Sequence, residues 1–211
     1  MKKLVLIGIL FTVSRIGFTQ EIDISSLFST STASYYKNAK GLSLDYSKRF
    51  NKYKLSIGLH GIIKNNDFSE IGGDLSDGRG YIIREIKGKL SIIGIDLGIS
   101  RIVIENDFYQ ISLGPFLLSN FYKFNDNIHY YDLGNGNSGD FKRDECKSNK
   151  LGIGMSFNLE LKNVLLKKIS IISKFKPCIV RYESHSLKND DPFYQPIQGI
   201  TNFELGISYT Y

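Results

Sequence analysis

Three histidines and two cysteines, with the carboxylates and hydroxyls near them, are the residues of this 211-residue chain that could do acid–base, nucleophilic or metal chemistry. His185 lies between Ser184 and Ser186, with Asp190 close behind, the residue types of a Ser–His–Asp triad. Adjacency does not aim a base at a hydroxyl, and the stretch is polar and Gly/Asn/Asp-rich, so it reads as a solvated loop; His129 lies in a similar stretch. In "DLGNGNSGD", Asp132, Asn135, Asn137 and Asp140 space oxygen ligands somewhat as calcium loops do. The closing bidentate Glu and the flanking helices are missing, so this too reads as loop. No Gly-rich phosphate loop and no Cys/His cluster is present. The expectation is no catalytic residue, no metal site and no cofactor.

His60 belongs to a different setting, a stretch in which apolar and polar residues alternate. Such alternation marks a strand with two unlike faces. "GLSLDYSKRF" (41–50) puts Leu42, Leu44, Tyr46 and Phe50 on one face, and "YKLSIGLHG" (53–61) does the same with Tyr53, Leu55, Ile57 and Leu59. Only Asn51-Lys52 separates them. Pairing Phe50 with Tyr53 sets Tyr46 against Ile57 and Leu44 against Leu59, so the apolar faces coincide. A second hairpin joins "IIGIDLGIS" (92–100) to "FYQISLGPFLL" (108–118) about an axis through Asn106, which pairs Ile99 with Leu113. A third joins "LGIGMSFNLEL" (151–161) to "ISIISKFKPCIVRY" (169–182) through residues near Asn163–Leu166. "EIDISSLFSTS" (21–31) is a weak first strand and "TNFELGISYTY" (201–211) a strong last one. These eight strands alternate short turns with longer polar connections at 32–38, 65–80, 123–148 and 184–199, as in an up-and-down barrel with both termini at the short-turn end.

The face opposite the apolar stripes carries Gly58, Gly94, Gly154 and Gly206, with Ser43, Ser56, Ser112 and Ser156. It also carries Asp45, Asp96, Glu160 and Glu204, with Lys54, Lys174 and Lys176 as partners and His60 as a hydrogen-bonding member. Small residues suit a narrow interior, where carboxylates and lysines neutralise one another. The apolar stripes then need an apolar environment, and a sheet without edges is one of two ways to cross a bilayer with every backbone group satisfied. The predicted class is all-β: an eight-stranded antiparallel up-and-down transmembrane β-barrel.

The ends agree with export. "MKK", an apolar run "LVLIGILFTV" and the polar "SRIGFTQ" make residues 1–19 a signal peptide, leaving 20–211 as one barrel domain. Ten apolar residues fall short of the roughly 20 a spanning helix needs. The chain carries +6, of which Lys2, Lys3 and Arg15 lie in the signal, too little basic excess to argue for nucleic acid. Outside the cytoplasm, a Cys146–Cys178 disulfide is possible; the alternative is two unpaired thiols. Around the long connections, Arg79, Arg84, Lys87 and Lys89, and then Lys123, Lys142, Arg143, Lys147 and Lys150, could meet phosphorylated lipid heads. Asp126, Asp140, Asp144 and Glu145 offset them in part.

With its signal peptide, eight amphipathic strands, alternating turns and loops, and terminal "ELGISYTY", the whole exported chain resembles the small OmpA/OmpX-type outer-membrane barrels in the style common among Bacteroidetes. The resemblance implies outer-membrane lipid as a partner, long loops outside the cell, and a last strand whose Phe203, Tyr209 and Tyr211 serve as the signal to the barrel assembly machinery. It implies a structural or loop-mediated interaction role with a side-chain-filled lumen. The rival readings are a lipid A-modifying enzyme, a narrow conduit or binder for a small apolar molecule, and a secreted soluble β-sandwich.

Overall fold

A computed structural model describes residues 19–31, 38–73, 81–132, 136, 138–182 and 197–211. The signal-peptide reading of 1–19 falls outside these residues except at Thr19, as does the Ser184, His185, Ser186 and Asp190 group. Eight antiparallel strands close into a barrel in sequence order: β1 (Gln20–Ser31), β2 (Ala39–Phe50), β3 (Tyr53–Gly73), β4 (Tyr81–Glu105), β5 (Tyr109–Asp132), β6 (Ser138–Leu166), β7 (Ile169–Tyr182) and β8 (Ile197–Thr210). The last strand pairs with the first from Glu21↔Thr210 to Ser31↔Ile200, and the Tyr211 N–H donates to Gln20 O at 3.1 Å. β8 therefore seals the ring against β1 and leaves no open sheet edge. Among the described residues no helix is long and apolar enough to cross a membrane.

The β2–β3 hairpin has the register its sequence predicts: Phe50↔Tyr53, Tyr46↔Ile57 and Leu44↔Leu59. Asn51 takes φ 56°, a left-handed conformation that Asn tolerates in a tight turn. The β4–β5 hairpin departs from expectation, with Leu113 opposite Arg101 rather than Ile99. Two local devices account for the two-residue shift. Asn106 Oδ1 accepts hydrogen bonds from the backbone N–H groups of Phe108 and Tyr109, which moves the turn forward. A bulge between Ile102 and Ile104 then absorbs one residue. The β6–β7 turn falls at Lys167-Lys168, beyond the expected Asn163–Leu166, because β6 continues past an irregularity between Leu161 and Leu166.

A larger correction concerns the connections expected at 65–80 and 123–148, most of which are strand. The β3–β4 ladder runs to Gly73↔Tyr81 and the β5–β6 ladder to Tyr131↔Ser138. Four strands therefore rise past the ends of β1, β2, β7 and β8 as a continuous sheet on one side of the barrel.

The outer surface is apolar over a bounded height. On β3 the outward residues run Leu55, Ile57, Leu59, Gly61 and Ile63, after which Asn65 and Asp67 take over. On β4 and β5 the change falls at Ile93 and Phe121, beyond which Lys89, Lys87 and Lys123 point outward. Leu55 to Ile63 spans about 27 Å of strand, or about 20 Å of height at a tilt of about 40°. That is close to the apolar band of about 25 Å on transmembrane barrels. Tyr53, Tyr209 and Tyr211, each about half exposed, lie at its short-turn border.

Candidate functional site

Among the described residues, the charged side chains assigned by sequence to the inward face come together in the interior. Inward positions alternate along each strand, so Lys174 and Lys176, two apart on β7, share the lumen face. Lys174 Nζ lies 2.5 Å from Asp45 Oδ2, 2.8 Å from Asp23 Oδ2 and 3.8 Å from Glu204 Oε2. Lys176 Nζ lies 3.0 Å from Glu204 Oε1, 3.3 Å from Asp96 Oδ2 and 3.5 Å from Asp45 Oδ1. Toward the short turns, Lys54 Nζ joins Glu21 at 2.5 Å and Glu160 at 3.2 Å. All of these side chains are buried.

Short hydroxyls and missing side chains make room for the ions. Ser43 Oγ donates to Glu204 and Ser47 Oγ to Glu21. A Cβ at Gly58 would strike the carboxylates of Asp45 and Asp96, and one at Gly94 would strike the His60 ring and Asn120 Oδ1. Glycine here is a matter of space, since the interior of an eight-stranded barrel is just wide enough for its own side chains.

His60 lies at the loop side of this network. Its Nδ1 is 3.8 Å from Asp96 Oδ2 and its Nε2 hydrogen-bonds Asn120 Oδ1 at 2.9 Å. The Asn120 amide in turn donates to the Tyr122 hydroxyl at 3.0 Å. Lys150 Nζ stands 4.6 Å from the centre of the Tyr122 ring, a cation–π contact. A buried histidine held on both sides is a structural member of the lumen. The hydroxyl opposite it on β2, that of Ser43, is committed to Glu204.

The eight interior residues expected from sequence, Asp45, Lys54, His60, Asp96, Glu160, Lys174, Lys176 and Glu204, are all buried here. Sequence reasoning missed Glu21 and Asp23, which sit in the weakly alternating β1, and the Gln110 and Asn120 contributions from β5. It also missed an apolar plug. Above the charged layer the lumen is filled by Leu27, Ala39, Ile62, Leu90, Ile92 and Tyr122, and beside them by Phe116, Leu118, Cys178, Val180 and Ile200. The signal was present as apolar doublets. In Ile62-Ile63, Ile92-Ile93, Leu117-Leu118 and Ile179-Val180, one member faces out and its neighbour faces in. The cavity left within the charged layer is only about 40 Å³, room for water but not for a pore.

At the short-turn rim, the Arg49 guanidinium forks onto Glu105 with two 2.7 Å bonds, and Lys162 Nζ adds a third at 2.8 Å. These hydrogen bonds hold the Glu105 carboxyl down to about 2, Arg49 contributing most. On the projecting sheet, His129 Nδ1 lies 2.6 Å from Asp140 Oδ1 on the opposing strand. Asp140 is thus a strand residue paired with a histidine, not an oxygen ligand on a loop, and among the described residues no His, Cys, Asp and Glu group is arranged to hold a metal.

The disulfide is not made. Cys178 is a buried free thiol whose backbone faces Gly154, whereas Cys146 faces Phe124, eight residues farther along β6. That is about 27 Å of strand, far beyond the Cα separation of about 6 Å that a disulfide spans.

No family model matches the chain, and no curated protein matches it. Among solved structures it is similar to the Neisserial surface protein A, with a TM-score of 0.54 at 12% identity, over 92% of this chain and 97% of that one. A major outer membrane protein of Thermus thermophilus matches at TM-score 0.47 and 13% identity, over 92% and 100% of the two chains. Ail, the attachment invasion locus protein of Yersinia pestis, matches at 0.45 and 17%, over 92% and 98%. The strand order, the closure and the first of these likenesses define the class: an all-β, closed, eight-stranded antiparallel barrel with the fold of the Neisserial surface protein A.

Proposed function

We infer that this chain is an outer-membrane barrel whose lumen is packed shut and whose work is done outside the barrel, as a structural element of the envelope and through the sheet that projects from its loop end. The observation that carries this reading is the pairing of an inside-out exterior with a filled interior. Leucine, isoleucine and phenylalanine ring the outside, while ion pairs and an apolar plug occupy the middle. A soluble barrel would lose free energy by exposing that belt, at about 25 cal/mol per Å² of apolar surface, whereas hydrocarbon accepts it. The plug and the 40 Å³ cavity argue against diffusion through the lumen.

The loop end faces the exterior in this reading. Lys87, Lys89 and Lys123 point outward just beyond the belt, where phosphorylated headgroups would meet them. Phe203 and Tyr209 on the outer face of β8, with Tyr211 just beyond it, are exposed, and in this reading they are the aromatic signal for assembly. The test is expression in a Gram-negative host, followed by outer-membrane fractionation and labelling of intact cells with a membrane-impermeant amine reagent. Recovery in the outer membrane with label on Lys87 or Lys89 supports the reading; a soluble periplasmic protein, or label confined to Lys52 and Lys167 in lysed cells, contradicts it.

A further inference from the structure

The barrel wall is uneven beside two of its prolines. On three neighbouring strands, Pro115 (β5), Met155 (β6) and Pro177 (β7) stand side by side on the outer face, and Met155 pairs with Pro115 in register. On its other side the ladder fails. The β6–β7 pairing runs to Gly154↔Cys178 and resumes in the same register at Phe157↔Phe175, so the pairs Met155↔Pro177 and Ser156↔Lys176 are missing from this ladder. A proline has no N–H to donate, and within sheets it belongs at edges and irregularities. The β4–β5 ladder has the same two-pair gap beside Pro115, between Gly98↔Phe116 and Arg101↔Leu113, whereas the β7–β8 pairing is unbroken.

A recess of about 550 Å³ opens at the β6–β7 seam, a volume within the usual range for small-molecule pockets. Ile153, Met155, Pro177 and Ile179 form its walls, and Gly199, with no side chain on the outer face, leaves its β8 side low. Cys178 and Ile200, which turn inward, line its inner end. Thr201 supplies the only side-chain hydroxyl in the lining. The walls are continuous with the belt: Ile153 and Ile179 are 61% and 60% exposed and flank the mouth.

We propose that this recess is a lipid site, in which one acyl chain of a membrane lipid leaves the bulk bilayer and lies along β6 and β7 between Ile153 and Ile179. Apolar walls, a lining with one hydroxyl and a mouth within the belt select hydrocarbon over a polar ligand. This inference rests on the membrane reading given above.

The test uses the full chain in phosphatidylcholine liposomes doped with a phospholipid carrying a mid-chain diazirine. After irradiation, adducts are mapped by mass spectrometry. The expected result is a severalfold excess of adducts on Ile153, Met155 and Ile179 over the smooth-belt residues Leu44, Leu59 and Leu97, and loss of that excess in Gly199→Leu. Should Gly199→Leu fail to insert, Ile153→Phe narrows the same mouth. Adducts spread evenly over the belt would overturn the recess site while leaving the membrane reading intact, as would an excess untouched by either variant. Adducts on no belt residue at all would overturn both.

Discussion

Removing the ammonium of Lys176 leaves Asp45, Asp96 and Glu204 facing one another with Lys174 as the remaining lysine beside them. Breaking a buried pair by deleting one partner costs about 3–5 kcal/mol because an uncompensated charge stays behind. Lys176→Met is therefore expected to destabilise the barrel by that order in urea unfolding from lipid vesicles. Lys162→Ala, at a part-exposed rim bridge, should cost under about 1 kcal/mol. A smaller change makes a sharper geometric test. Gly94→Ala pushes a methyl into the space of the His60 ring and Asn120 and should cost about 1–3 kcal/mol, whereas nothing lies within 4 Å of a Cβ at Gly61. Equal unfolding midpoints for the two alanine variants would show that the lumen is looser than described. Which charged residues of β2, β3 and β7 face inward was legible from period-two alternation, and so was their ion chemistry. The partners from β1 were not, because "EIDISSLFSTS" mixes hydroxyls into both faces.

At the scale of elements, the rim clasp and the projecting sheet make separate predictions. Glu105 has a carboxyl held below its ordinary value by Arg49 and Lys162, so its contribution is fully present above about pH 4.5 and is lost as pH falls toward about 2. Screening at this exposed rim keeps that contribution under about 1 kcal/mol. The stability difference between Glu105→Gln and the unsubstituted chain should be measurable at pH 6 and absent near pH 2; a difference unchanged across that range would separate Glu105 from the clasp. For the sheet, replacing residues 66–88 with a two-residue turn deletes ladder beyond the belt only, from Asn66↔Gly88 outward. The shortened barrel should still insert and resist unfolding like the parent. The β2–β3 register could be read in advance because a two-residue turn leaves little freedom. The β4–β5 register could not, since neither the Asn106 turn nor the Ile102–Ile104 bulge leaves a hydrophobic trace. The outer halves of β3 to β6 read as loops for a related reason: with Asn65, Asp67, Lys87 and Lys89 outward, no apolar stripe remains to mark the strand.

For the molecule as a whole, a ring without edges, an apolar exterior and a filled middle have consequences that no single residue shows. Closure satisfies the backbone in hydrocarbon, and the plug of Leu27, Leu90, Ile92 and Tyr122 above the ion pairs should give a planar lipid bilayer no stable conductance steps. Regular openings would mean that the plug moves. The fold class was readable from the alternation and from the strict succession of short and long connections. The plug was hidden because an apolar doublet breaks the alternation without saying which member turns inward. The most direct measurement is heat-modifiability: outer membranes holding the chain, run unboiled and boiled on a denaturing gel. A folded band that shifts in mobility only on boiling is the result expected of a closed membrane barrel. A single unshifted band, recovered from the soluble fraction, would contradict it and return the apolar stripes to the inside of a sandwich.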